Sequence, residues 1–269
     1  MTTVNKGISD IKKKKKNIIQ LDIDDSDDSD DSDDSDSDEL SYNLKDKMVF
    51  LKNPDKTQDV VRLDPDSNAR FSLPFRACIA GQVNSGKSTI AINIILQRQS
   101  KSPKFDEIHI VHGCQGTQEY NSINPTSIRH QIPHYTDFPN DKRILLVYDD
   151  IEFTKMNKDD TKKIVEMTRL GSHLGISCIF VNQLYTRILK QIRDNCDVHI
   201  MNRPLDLDSL NTVGRRIGLT KDKVNYIYDN LLPNFHDFLC VNYTKNAKYR
   251  YSKNLYEPID ISKIDFKKK

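Results

Sequence analysis

Residues 81–89 read GQVNSGKST and match G-x-x-x-x-G-K-[ST] at every fixed position. The motif restricts the fold because its chemistry has structural requirements. A run of backbone N–H groups can curl around a phosphate only where a strand delivers the chain and a helix carries it away, with the helix N-terminus facing the anion. Here ACIA (77–80) precedes the motif and KSTIAINIILQRQ (87–99) follows it. Gly81 and Gly86 leave the curl unobstructed, and Gln82, Val83, Asn84, Ser85 and Thr89 complete the nucleotide-binding candidates. Lys87 is placed to reach the β and γ oxygens, and Ser88 to ligate Mg²⁺.

The rest of the chain from about residue 71 is consistent with that requirement. FRACIAG (75–81), DEIHIVHG (106–113), RILLVYDD (143–150), GISCIFVN (175–182), CDVHIMN (196–202) and HDFLCVNY (236–243) are short apolar runs. Between them lie helical patterns: 87–99, DDTKKIVEMTRL (159–170), YTRILKQIRDN (185–195), and 209–230 split at Gly218. This alternation predicts an α/β P-loop NTPase domain over 71–250, with a central, mostly parallel sheet flanked by helices. Residues 114–140 form a long connection, which favours a functional or mobile segment. The expected organisation is a disordered tail (1–40), a linker or extension (41–70), the domain, and a basic C-terminal tail (251–269).

Composition separates the tail from the domain. KKKKK (12–16) and DIDDSDDSDDSDDSDSDE (22–39) have almost nothing to bury, and the serines between the acids are potential phosphorylation sites. Residues 1–39 hold six lysines and thirteen acids, net −7, leaving 35 bases and 26 acids, net +9, in the remainder. A basic body favours an anionic partner such as nucleic acid, although such a surplus is also common on proteins that bind none; the acidic arm reads as a solvating tail or as a DNA mimic competing for the basic surface. Basic and aromatic residues interleave in VNYTKNAKYRYSKNLY (241–256), which reads either as a nucleic-acid surface or as an exposed strand with solvated lysines. Five cysteines without a C-x-x-C pair, no N-terminal apolar segment and no apolar run of about 18 residues predict a reduced, intracellular protein without a membrane span.

ILLVYDD is a buried-type strand ending in paired carboxylates: Asp149 to hold Mg²⁺, and Asp150 to orient or deprotonate the attacking water, with Glu152 as the alternative base. GISCIFVNQL places Asn182 and Gln183 at the same sheet edge, where either can sense the γ-phosphate or cap the following helix. NKDD (157–160) resembles a guanine-reading motif, but Asn157 is better explained as a helix N-cap, with Asp159 and Asp160 favourable to the helix dipole. His130 and His134, or His112 and Cys114, do not supply the four ligands of a structural zinc site.

The order GQVNSGKST, LLVYDDIE, then TRLGSHLGISCIFVNQLYTRILKQIRDNCDVHIM resembles the poxvirus-type genome-packaging ATPases of large DNA viruses, a branch of the FtsK–HerA superfamily, over residues 75–205. The resemblance implies ATP and Mg²⁺ as cofactors, Lys87, Asp149, Asp150 and Gln183 as catalytic residues, and a homo-oligomeric ring. In such a ring an arginine from one subunit completes its neighbour's site; Arg169 matches best, with Arg187 and Arg193 behind it. Double-stranded DNA and capsid or portal proteins are the implied partners, in a virion or the host cytoplasm. Many superfamily members carry Glu at the position of Asp150. Another DNA-pumping role, or a nucleotide-dependent binding module with little turnover, are the alternatives.

Overall fold

The structure is a computed structural model and describes residues 71–100, 103–113, 118–204 and 207–264; the expected acidic tail and linker over 1–70 lie outside them. Four strands with nearly unbroken apolar sequence form its centre: β1 (Arg76–Ala80), β4 (Ile144–Asp149), β5 (Ile176–Asn182) and β6 (Val198–Asn202). Their side chains are buried almost throughout, as parallel strands covered on both faces require. With β2 (Glu107–His112), β3 (Ser127–Arg129), β7 (Phe238–Asn242), β8 (Tyr251–Lys253) and β9 (Glu257–Pro258) they make a nine-stranded sheet in the order β3-β2-β4-β5-β1-β6-β7-β8-β9. Pairing is parallel from β3 to β6 and antiparallel from β6 to β9.

Two apolar clusters cover the two faces. On one, α1 (Lys87–Gln99) buries Ile90, Ile92, Ile94 and Ile95 with Ile79, Val147, Val181 and Ile200. On the other, Ile164 and Met167 of α2 (Lys158–Leu170), Ile192 of α3 (Lys190–Asn195), and Val213 and Ile217 of α4 (Leu207–Ile217) pack with Tyr148, Cys178 and Phe180. Val224 and Ile227, from α5 (Lys221–Tyr226) and the π-helical turn Ile227–Leu231 that continues it, join this second cluster. Asn157 caps α2 as its sequence suggests, accepting from Asp160 N at 2.8 Å, so NKDD is accounted for by helix initiation.

Two expectations are corrected, and the long connection gains structure. Residues 185–195 do not form one helix: a 3₁₀ turn at Tyr185–Arg187 and α3 are separated by extended Ile188 and Leu189. The Tyr185 hydroxyl, 3.0 Å from His199 Nδ1, and fully buried Ile188 hold this segment against the sheet in a geometry a continuous helix could not reach. The long connection contributes β3 and a 3₁₀ segment, Gln118–Ile123. The C-terminal tail does not begin at 251: Tyr251–Lys253 pair with β7, while Leu255 and Ile259 are buried, so the sheet needs these residues to cover its edge. Among the described residues no helix is long and apolar enough to cross a membrane.

Leu255 is 2% exposed and packs with the α1 face. Leu255→Ala is expected to lower unfolding free energy by about 2–5 kcal/mol in urea titration, as for a core leucine. A terminal tail would show almost no change.

Candidate nucleotide site

All strands from β4 to β6 run in one direction, so their C-terminal ends deliver the loops after β1, β4 and β5 to one edge of the sheet. The loop 81–86 takes the shape its composition permits. Gly86 has φ 88° and Asn84 φ 62°, both in the left-handed region, and Ile90 N bonds back to Gly86 O at 2.8 Å to start α1. At Gly81 a Cβ would collide with Asn202 Oδ1 and Ser85 Oγ, so the close approach of β6 demands glycine. Those same two oxygens are buried without hydrogen-bond partners, leaving polar groups beneath the loop.

Lys87, Ser88, Asp149, Asp150, Asn182 and Gln183 line one cavity of about 170 Å³. Lys87 Nζ donates to Gln82 O at 2.7 Å, folding the side chain over its own loop. Partial burial depresses its pKa, opposed by Asp149, Asp150 and Glu119. Ser88 Oγ donates to Asp149 Oδ2 at 3.1 Å. Burial raises the Asp149 pKa, while a 2.6 Å hydrogen bond from the Tyr120 hydroxyl lowers it. Asp150 has φ 52°, a left-handed conformation that turns the chain out of β4 and leaves its side chain exposed.

Cofactor fit follows from these donors. One hydroxyl and one carboxylate oxygen, 3.1 Å apart, form the hard-oxygen pair that suits Mg²⁺, which ordinarily takes few protein ligands and completes its shell with phosphate and water. Among the described residues no group of three or more His, Cys, Asp or Glu could hold a metal unaided. His134 accepts from Thr136 N, and His130 Nδ1 lies 2.9 Å from His112 O, so these histidines have other duties.

The remaining candidates fall in distinct places. Asn182 is structurally committed, donating to Ile151 O and accepting from Leu184 N, which leaves Gln183 as the half-exposed amide of the pair. Glu152 pairs with Lys155 at 2.8 Å and lines a neighbouring cavity with Arg187, whereas Asp150 borders both cavities. Arg169, in the last turn of α2, sits at the opposite sheet edge: adjacent Thr168 accepts from Arg76 at the start of β1. Arg193 stacks on Tyr185, 4.9 Å from its centroid, away from the cavity. Tyr120 and Glu119 were missed, because a polar connection carries no periodicity that would direct a side chain to the site.

No family model matches the chain, and no curated protein matches it. Solved structures share its fold. The DNA-packaging ATPase B204 from Sulfolobus turreted icosahedral virus superposes with a TM-score of 0.52 at 16% identity, covering 70% of this chain and 100% of that one. The genome packaging NTPase B204 from Sulfolobus turreted icosahedral virus 2, in complex with AMP, gives 0.50 at 13% identity, again over 70% of this chain and 100% of that one. The cytoplasmic domain of the type VII secretion ATPase EccC from Thermomonospora curvata gives 0.52 at 13% identity over 81% of this chain and 29% of that one.

Tyr120→Phe removes the hydroxyl that favours ionised Asp149. If turnover needs the carboxylate, its acid limb is expected to move to higher pH in the variant, read from a pH–rate profile; an unmoved limb would disconnect Tyr120 from the site.

Proposed function

The chain has the P-loop NTPase fold, and from that premise we propose that it is a Mg²⁺-dependent ATPase that translocates double-stranded DNA, packaging a viral genome as a homo-oligomeric ring. The observation that carries hydrolysis is the meeting of Lys87, Ser88, Asp149, Asp150 and Gln183 around one cavity. Shared fold with a viral packaging ATPase, over the whole of that chain, supports the packaging role.

In this reading the loop N–H groups and Lys87 hold the phosphates, and Ser88 and Asp149 hold Mg²⁺, which would neutralise charge on the phosphate oxygens. Gln183 orients a water in line with the γ-phosphorus. Asp150 accepts its proton as the new P–O bond forms and the β–γ bridge breaks, releasing ADP and inorganic phosphate. Closing of a ring would bring an arginine from the next subunit. Arg169, remote from its own cavity, is the candidate for that arginine, and Arg187, which lines the neighbouring cavity, is the within-subunit alternative. The surroundings implied are a virion or the host cytoplasm, with capsid or portal proteins as further partners.

A second reading has a specific basis: the type VII secretion ATPase EccC domain superposes with the same TM-score, so the fold fits a secretion motor as well as a DNA motor. Steady-state ATP hydrolysis with and without double-stranded DNA decides between them. Packaging predicts turnover that rises several-fold with DNA and vanishes in Lys87→Ala; a DNA-indifferent enzyme would turn attention to protein substrates, and a preference for GTP would count against both. Asp150→Asn is expected to lower turnover by about 10²–10³-fold, in the range for loss of one positioned polar group. If Arg169 acts across the interface, mixing Arg169→Ala with wild-type subunits lowers activity more than in proportion to its fraction; strict proportionality would remove Arg169 from that role.

A further inference from the structure

The basic and aromatic residues of 241–256 include a cluster remote from the nucleotide cavity. Antiparallel pairing returns the chain to the opposite edge of the sheet, where Asn242 sits across from Val198 and Tyr251 across from Val241. There the Tyr243 ring is flanked by the guanidinium groups of Arg216 and Arg250, each 5.9 Å from its centroid. An aromatic chain continues inward, Tyr243 to His199 at 5.7 Å and His199 to Tyr185 at 5.8 Å, and Arg193 covers Tyr185. The cluster is built rather than loosely draped. Tyr243 donates to Arg216 O at 2.6 Å, Tyr251 to Ile217 O at 2.7 Å, and Arg216 to Arg193 O at 2.8 Å, fastening α4 to β7, β8 and α3.

Charge here is not balanced. Nε of Arg193, Arg216 and Arg250 is in each case buried without a hydrogen-bond partner. Of the carboxylates at this edge, Asp197 is held by Arg76 at 2.9 Å, and Asp194 is shared between Lys190 at 2.6 Å and Arg216 at 3.4 Å. Lys245 and Lys248 lie on the adjoining turn, with Lys248 over the Tyr249 ring at 4.9 Å. Three guanidinium groups held together against their mutual repulsion, two of them about one tyrosine, favour an incoming anion. Arg216, held on Arg193 O and Asp194, is a fixed charge, and the fork of part-exposed Arg250, stacked on Tyr243, matches phosphate oxygens.

We propose that this arginine–tyrosine cluster is a nucleic-acid site that grips the phosphodiester backbone along the sheet edge opposite the nucleotide loop. The inference rests on reading the chain as a nucleic-acid motor and adds where the track lies. Nucleic acid fits better than the other polyanion in the sequence, the twelve acids of residues 22–39, because the half-buried Tyr249 offers its ring to backbone sugars, a contact an Asp/Ser run cannot supply.

The test is binding of a short labelled DNA duplex to the full chain carrying Lys87→Ala, by fluorescence anisotropy across a salt series, so that binding is read apart from turnover. Adding Arg216→Gln and Arg250→Gln is expected to weaken binding and to flatten the log K against log salt slope by about 0.9 for each phosphate that is no longer neutralised. Because Arg216 also ties α4 to α3, Arg250→Gln with Lys245→Gln serves as a second variant, its folding checked by thermal melting. An unchanged slope and affinity in a folded variant, while the parent binds DNA, overturns the site and leaves the motor reading standing. A rise in affinity overturns it too, since the cluster would then be holding the acidic segment. A parent that binds no duplex even at low salt removes both.

Discussion

Backbone hydrogen bonding across β4, β5, β1 and β6 is the constraint on which everything else turns. A parallel ladder cannot be closed by tight turns, so β1, β4 and β5 are each followed by a crossover that returns the chain to the starting edge. The helices in those crossovers must lie on the sheet, and their apolar sides make strands as uniformly hydrophobic as ILLVY and ISCIFV soluble within a fold. The side effect is chemical: three strand ends, Ala80, Asp149 and Asn182, emerge at one edge with their following residues aimed at a common space. The positions of the candidate site residues are thus set by the buried centre of the sheet.

Much of this was legible because it is periodic or stoichiometric. The helix 87–99 follows directly from the motif and agrees with the structure at both ends, and buried strands such as 144–149 have an almost unbroken apolar run to mark them. The assembly of Lys87, Ser88, Asp149 and Asp150 followed from phosphate chemistry combined with strand-end geometry. What stayed illegible depended on partners far away in sequence. Nothing local says that Tyr120 reaches Asp149, twenty-nine residues on. Residues 251–259 looked like a tail because lysine, tyrosine and asparagine dilute the apolar signal, yet Leu255 and Ile259 suffice to bind the segment to the core. Ile188 and Leu189 look helical in isolation; only the neighbouring sheet makes extended backbone the better choice.

Asp149 shows how the site balances opposing demands. Its burial penalises the charge that a cation would need, and two hydroxyls, of Ser88 and Tyr120, compensate from one side. Asp150, one residue later, is exposed and in a left-handed turn, so adjacent identical side chains acquire different environments through backbone direction alone. That division matches the general pattern in which two neighbouring carboxylates serve separate roles.

The sheet ends in β3, three residues long, and β9, two residues long. Such stubs offer almost no free ladder to a visiting strand, which blunts edge-to-edge pairing. Among the described residues, these edges therefore disfavour pairing of one copy's sheet with another's, and leave side chains as the means of contact there. A contact made by side chains can slip and reset without unzipping backbone hydrogen bonds, whereas a shared ladder would fix two edges in one register.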